Sequence, residues 1–461
     1  MTVKDTKEGT IYKQWIIGAI ATTPFLTYGL QNGWISPVMG LLQSELSPSG
    51  RPLTTSEISL VASGMSIAAI STAVAFGYLA DAVGRRVTLM MIATPQIFGF
   101  ALKLVSAHPA CLIVSQVLAG IAAAGSFCVA PAYVKEMAQD SIRGYLASSG
   151  ILLQSLGMLI MYAMAPYLGY YTLLWVMVWV PILNLAAMFW IPETPAYLVK
   201  RGRVEEAIKV MSWLREVDEN HKMLERDVSI LKNEMLTTDN LPAVSWKSIL
   251  SNPSSRRAVC ISFLVITLLA VGGDYGITAY GSMILDHAGV TFAPEVQALT
   301  IPALMTLGSL LSAVTIEKFG RKPLIMVGAV FTGVPLAIMG TALVILQGGG
   351  HVPPWIPVVS IGVCLFASGQ MMSLPFIIIS EIFNVQMRSK VIGVISTYGW
   401  SLAGSQTLLF AIITEHFGMQ TIFFTFAIVN LFGVIVCGVI MPETKGKTLE
   451  QINKELLSRK C

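Results

Sequence analysis

A chain of 461 residues that is 54% hydrophobic and only 12% charged cannot hide its apolar surface in soluble cores, because soluble domains carry about 25% charged residues. The composition excludes a soluble protein and reads as a polytopic membrane protein. The net charge of +4, with no long block of like charges, gives no support for a nucleic-acid partner.

The first ten residues, MTVKDTKEGT, mix both signs. The apolar run behind them is longer than a signal-peptide core and has no clear cleavage site, so it reads as a first span. A spanning helix needs about 20 mostly apolar residues. Twelve stretches qualify: 14–38, 58–80, 87–106, 110–134, 146–165, 170–191, 257–285, 297–316, 323–346, 354–379, 391–413 and 420–440. The expected fold is an all-α polytopic membrane protein, with twelve transmembrane helices in two six-helix pseudo-repeat bundles. The expected division is an N-terminal tail (1–13), a first bundle (14–191), a polar linker (192–256), a second bundle (257–440) and a C-terminal tail (441–461). Within the linker, VEEAIKVMSWLREV and MLERDVSILKNEM have the apolar spacing of short amphipathic helices. Lysine and arginine gather in every second loop, in the linker and in the tail, while the opposite loops carry Arg51, and Lys103 can snorkel from a span end. The basic side, with both termini, is therefore expected to be cytoplasmic.

The halves repeat one another. GYLADAVGRR (77–86) returns as AVTIEKFGRK (313–322), PAYVKEMAQDSIRG (131–144) as PFIIISEIFNVQMRS (375–389), and PET closes each half at 192–194 and 442–444. Internal repeats of this kind place a binding site between two bundles that rock. Each motif sits at a basic-side helix end. Asp81, Arg85, Arg86, Glu136, Arg143 and Glu193 in the first half match Glu317, Arg321, Lys322, Glu381, Arg388 and Glu443 in the second. Paired across helices, these charges form a cytoplasmic latch that biases a two-state equilibrium. Ordinary positive-inside charge with local ion pairs gives the same pattern, and exposed ion pairs contribute little. The six cysteines lack paired spacing and the five histidines are scattered, so no disulfide framework, metal or cofactor is expected. No P-loop, His-Glu-x-x-His, serine elbow or dinucleotide fingerprint points to an enzyme.

These motifs, with IPETPAYLVKRGR and PETKGKTLEQI, resemble the signatures of sugar porters in the major facilitator superfamily, over essentially the whole chain and in family order. GWISP (33–37) is similar to the first span of the insect facilitated trehalose transporter-like branch. The resemblance implies two six-helix bundles and alternating access. Small departures are Glu317 for the usual Asp, Ala196 for Arg and Ser389 for Gly.

The substrate cavity departs further. Against the resemblance, Leu269 and Ala270 stand at two span 7 glutamines, Tyr275 at its asparagine, Ile151 at the span 5 glutamine and Met305 at the span 8 asparagine. A buried sugar site must offer hydrogen-bond partners, because an unpaired buried polar group costs about 1–3 kcal/mol. The candidate replacements are Gln31, Gln116, Gln154, Asp274, Tyr275 and Ser368, with Phe376 and Trp400 as aromatic walls. Further candidate replacements within the spans are Asn32, Thr278, Gln370, Ser373, Ser405 and Gln406. Asp274, in the stretch LLAVGGDYGITAYG, lies on the helix face of Ala270. It either serves the cavity, sits hydrated near the outer mouth, or caps the helix broken by Gly272 and Gly273. Tyr275 and Tyr280 form an outer gate or interfacial packing. Proton-driven relatives carry an acid in span 1 and an arginine in span 4. Gln31 and Gln116 match those positions and do not titrate.

The expected function is facilitative transmembrane transport of a sugar, a hexose or a trehalose-like disaccharide, without proton coupling. The alternatives are a carrier of a less polar or cationic solute and a non-transporting sensor. The expected setting is a multi-pass monomer in the plasma membrane, in contact with the lipid bilayer.

Overall fold

A computed structural model describes residues 10–218, 222–240, 245–289 and 299–458. Residues 1–9, Cys461 and the start of the span expected at 297 lie outside the described residues. Among the described residues every regular element is a helix.

The first span is α1 (Tyr12–Asn32) with α2 (Ile35–Leu42), parted at Gly33. Spans two to six are α3 (Thr55–Val83), α4 (Arg85–Val105), α5 (Pro109–Met137), α6 (Asp140–Met164) and α7 (Tyr170–Met188). The linker holds α8 (Pro195–Lys200), α9 (Val204–Arg215), α10 (Lys222–Asn240) and α11 (Trp246–Ser251). Span seven is α12 (Pro253–Ala270) and α13 (Asp274–His287). Then come α14 (Thr300–Phe319), α15 (Arg321–Gln347), α16 (Trp355–Met371) with α17 (Leu374–Ile382), α18 (Val385–Phe417) and α19 (Met419–Ile440). A final helix, α20 (Leu449–Ser458), ends the described chain. Twelve spans result, and eight of these helical stretches are individually long and apolar enough to cross a membrane. The others carry more polar groups or include residues outside the description.

Helices overrun the apolar windows because capping, not hydropathy, sets their ends. Thr54 accepts from the Glu57 N–H and Glu57 bonds back to Thr54, a capping box that starts α3 ahead of its apolar run. On the basic side, α3 turns directly into α4 through Gly84 (φ +103), and α14 into α15 through Gly320 (φ +89). An L side chain would be strained at either position.

Helices α9 and α20, outside the spans, each dock on one amphipathic face. α9 buries Ala207, Met211 and Leu214, and its Trp213 meets Trp190 at 5.9 Å. α20 buries Ile452 and Leu456, and Ser254 donates to Asn453 at 2.6 Å. Small residues let helices inside a bundle touch. A Cβ added at Gly120 would sit 2.0 Å from the Met65 carbonyl oxygen, whereas one at Gly40 would meet nothing within 4 Å. Gly120→Ala is expected to cost about 1–3 kcal/mol through forced separation of α3 and α5. Gly40→Ala is expected to be neutral or slightly stabilising. Thermal unfolding in detergent compares the two, and equal effects would contradict the close-packing account.

Candidate functional site

On the basic face the two halves build the same brace twice. Arg85 binds Glu136 through Nε at 3.1 Å and Asp81 through Nη2 at 2.8 Å. Its Nη1 donates to the Ala80 carbonyl at 3.1 Å. In the second half, Arg321 binds Glu381 through Nε at 3.1 Å and Nη2 at 2.8 Å. Its Nη1 donates to the Ile316 carbonyl at 3.2 Å. Thr194 and Thr444 donate to the second oxygens of Glu136 and Glu381, both at 2.5 Å. Glu193 accepts from the backbone N–H groups of Arg85 and Arg86, and Glu443 from those of Arg321 and Lys322. Each carboxylate thus sits at a helix N-terminus, where the helix dipole favours it. Arg86 and Lys322 reach the opposite kind of end: Arg86 donates to the Phe189 carbonyl at 2.7 Å and Lys322 to that of Gly438 at 2.6 Å.

Among the described residues, these pairs tie helices within one bundle, and none joins the two bundles. The matched spacing of Glu381 and Arg388 does not produce a pair either: Arg388 donates to the Phe383 carbonyl at 3.3 Å, at the end of α17. The side chains of Arg143 and Glu317 lie outside the described residues.

Glu443 follows α19, outside the spans. Burial pushes its carboxyl up, but the N–H groups of Lys445, Arg321, Lys322 and Thr444 outweigh this and hold it below the usual range. Unfolded, a glutamate titrates near 4.3. A lowered folded value therefore adds stability above that pH, and the gain is lost as pH falls through the folded value. Unfolding in detergent from pH 7 to 3 is expected to show a steeper acid loss for wild type than for Glu443→Gln. Parallel curves would remove this role.

Between the bundles lies a small cavity. Tyr28, Asn32, Ile35, Ala62, Met65, Ser66 and Gln116 line it from the first bundle, and Tyr275, Ala279 and Thr407 from the second. Asn32, Gln116 and Tyr275 are the sequence-selected candidates on this wall. Phe376 and Trp400 sit in an aromatic cluster that adjoins it. Phe127 stacks on Phe376 at 6.5 Å and meets Trp400 edge-on at 5.8 Å, and Trp400 meets Tyr28 at 6.3 Å. Gln154 and Ser368 are buried in α6 and α16. The side-chain oxygens of Gln116 and Gln154 have no hydrogen-bond partner among the described residues.

Gln31 points elsewhere. Its Oε1 accepts from Lys103 Nζ at 2.6 Å, and its Nε2 donates to the Gln96 carbonyl at 3.4 Å. Lys103 does not snorkel. It is 0% exposed, with Nζ 3.9 Å above the Trp34 ring. The inward turn exchanges water for an amide and an aromatic face.

Asp274 opens α13, directly after the break at Gly273 (φ +102). It is 4% exposed, and its Oδ1 has no partner among the described residues. It is not among the side chains that line the cavity described above, and it is the first residue of the helix after the break. Gln406 bridges the break. With its amide oriented to satisfy both ends, it donates to the Ala270 carbonyl at 2.8 Å and accepts from the Gly273 N–H at 3.2 Å.

The face opposite the basic side is closed by hydrogen bonds between bundles. Tyr162 donates to the Thr278 carbonyl at 2.8 Å, and Ser282 Oγ to the Ser36 carbonyl at 2.9 Å. Tyr280 stacks on Phe410 at 4.7 Å and 7° and donates to the Thr407 carbonyl at 3.1 Å. Its hydroxyl also reaches Ser59 of the first bundle at 3.5 Å. Sequence reasoning missed Tyr28, Phe127 and Tyr162. Tyr28 carried a signal, because it lies one helical turn before Gln31 and Asn32.

Residues 11–456 match the family model for sugar (and other) transporters. The chain belongs to this family. It is thus a multi-pass membrane transporter and not an enzyme, as its motifs led one to expect. It is 26% identical to a glucose transporter of Staphylococcus epidermidis, covering 97% of this chain and 98% of that protein. It is 28% identical to a human facilitated glucose transporter, member 6 of solute carrier family 2, over 92% of this chain and 88% of that one. A facilitated trehalose transporter of Anopheles gambiae is 24% identical over 97% of this chain, which spans 56% of that protein's length. Among solved structures, the inward-open xylose transporter from E. coli superposes with a TM-score of 0.78 at 18% identity, covering 96% of this chain and 99% of that one. That likeness fixes the fold of this transporter: the two-bundle major facilitator architecture.

Proposed function

We propose that the transporter carries a sugar, a hexose or a trehalose-like disaccharide, by facilitated diffusion through alternating access. The observation that carries this reading is the cavity between the bundles, where Gln116 offers an unpaired carbonyl oxygen beside the hydroxyls of Tyr28, Ser66, Tyr275 and Thr407. Sugar hydroxyls both donate and accept, and such a wall answers both needs. Relatives named as glucose and trehalose transporters support the substrate class. Gln31 and Gln116, at the positions of the coupling acid and arginine, support uncoupled transport. In this reading Trp400 and Phe376 stack on the sugar from the aromatic cluster, Tyr275 and Tyr280 gate the outer side, and Gln154, Asp274 and Ser368 shape the site from behind. The basic-face braces keep each bundle rigid as the two rock. The basic side faces the cytoplasm, and the transporter works as a monomer in the plasma membrane.

The wall also includes Ile35, Ala62, Met65 and Ala279, which favours a less polar solute as the second reading. Uptake of radiolabelled glucose and of trehalose into proteoliposomes, at matched and stepped pH, tests the proposal. Saturable flux that ignores the pH step is expected. Absence of flux from folded protein would move the reading to the less polar solute, and pH-driven flux would overturn the absence of coupling.

A further inference from the structure

The outer half of span seven is kinked where the other bundle touches it. Within α13 one residue has a non-helical backbone, Tyr280 (φ −116, ψ 17). The distortion lies inside the turn from Thr278 to Ser282. In a regular helix the carbonyl of the first and the N–H of the last are each other's partners. Here each meets a hydroxyl of the first bundle: the Thr278 carbonyl accepts from Tyr162 at 2.8 Å, and the Ser282 N–H donates to Ser36 Oγ at 3.4 Å.

Both hydroxyls are shielded from water: Tyr162 is 1% exposed and Ser36 0%. The close approach depends on Gly281, whose added Cβ would lie 2.4 Å from Ile301 and 3.6 Å from Ser36 Oγ. The flat stacking of Tyr280 on Phe410 gives the kinked residue a fixed seat in its own bundle. The kink is therefore matched on two sides, by a ring within its bundle and by two hydroxyls from the other.

We propose that Tyr162 and Ser36 are positioning residues of the outer gate, holding α13 in its kinked form by bonding the two ends of the Thr278–Ser282 turn. When the bundles part on this side, both hydroxyls withdraw. The Thr278 carbonyl and the Ser282 N–H then pair with each other, and the turn straightens. Opening therefore leaves no orphaned backbone group in α13, which would otherwise be costly in a membrane. The proposal rests on the alternating-access reading, but its test needs no substrate, so either can fail alone.

The test uses the full chain with spin labels on an unnatural amino acid at Leu46 and His351, in outer loops of the two bundles. Distances are measured for wild type, Tyr162→Phe, Ser36→Ala, their combination and the conservative Ser36→Thr. The widened population is expected to rise roughly fivefold for each hydroxyl removed, the factor that matches one neutral hydrogen bond. Ser36→Thr, which keeps the hydroxyl, is expected to restore the wild-type distribution. Hydrogen exchange on the same variants is expected to leave α13 protected, because its turn re-forms. An unchanged distance distribution would show that the hydroxyls do not hold the gate. Lost protection across α13 would replace the exchange of partners with local unfolding. A uniform rise in exchange over all spans would reduce both residues to general stability.

Discussion

Gln31→Leu is expected to destabilise the protein by about 2–3 kcal/mol, while Lys103→Met costs at most about 1–2 kcal/mol. The asymmetry follows from what each change strands. Lys103 is fully buried, its Nζ bonded to Gln31 Oε1 at 2.6 Å and resting on Trp34. No carboxylate pairs with it among the described residues. Removing the amide leaves the Lys103 amino group in an apolar pocket with only the Trp34 and Phe100 rings beside it. Removing the ammonium strands a neutral carbonyl oxygen, and methionine fills most of the vacated stem. The double variant is expected to recover most of the Gln31→Leu loss, because it removes both ends of the interaction. Equilibrium unfolding in mixed micelles reads all three. If Gln31→Leu costs less than Lys103→Met, Gln31 is not what holds the Lys103 amino group in its pocket.

Arg321→Met is expected to cost about 3 kcal/mol and Arg321→Lys roughly half of that. The Arg321 side chain is 7% exposed and Glu381 25%. The guanidinium reaches Glu381 through two nitrogens and the Ile316 carbonyl through the third, in a fixed fork. Among the described residues, methionine leaves Glu381 with the Thr444 hydroxyl on its other oxygen and no partner on the first. A lysine cannot reach both Glu381 and Ile316, since its ammonium is a single point. The residual exposure of Glu381 keeps the loss at the low end for a broken buried pair. Arg388→Met is the control, because Arg388 makes one carbonyl bond at 3.3 Å and is expected to cost under about 1 kcal/mol. Equal losses for Arg321→Met and Arg388→Met would show that the brace is not what stabilises this face.

GYLADAVGRR and its return singled out Arg85 and Arg321 as charged helix ends but named no partner for either; the structure pairs Arg85 with Asp81 and Glu136, and Arg321 with Glu381. The reach from Glu381 to Arg388 was not legible, because α17 ends in between and its free carbonyl competes for the guanidinium. The break in span seven was marked by Gly272 and Gly273, residues with low cost for unusual backbone angles. The kink at Tyr280 carries no such mark, since it depends on partners from α2 and α6, which lie far away in the chain.

The sequence by itself determined the two-bundle plan and the basic face. Apolar length sets the number of spans, charge is confined to their ends, and repetition of both is visible in one dimension. Only the tertiary structure decided which polar side chains face the cavity. A helix turns about 100° per residue, so Gln31 and its neighbour Asn32 point to different places. Asn32 lines the cavity, while Gln31 turns to Lys103. That choice depends on where α4 stands beside α1, and no local pattern encodes it.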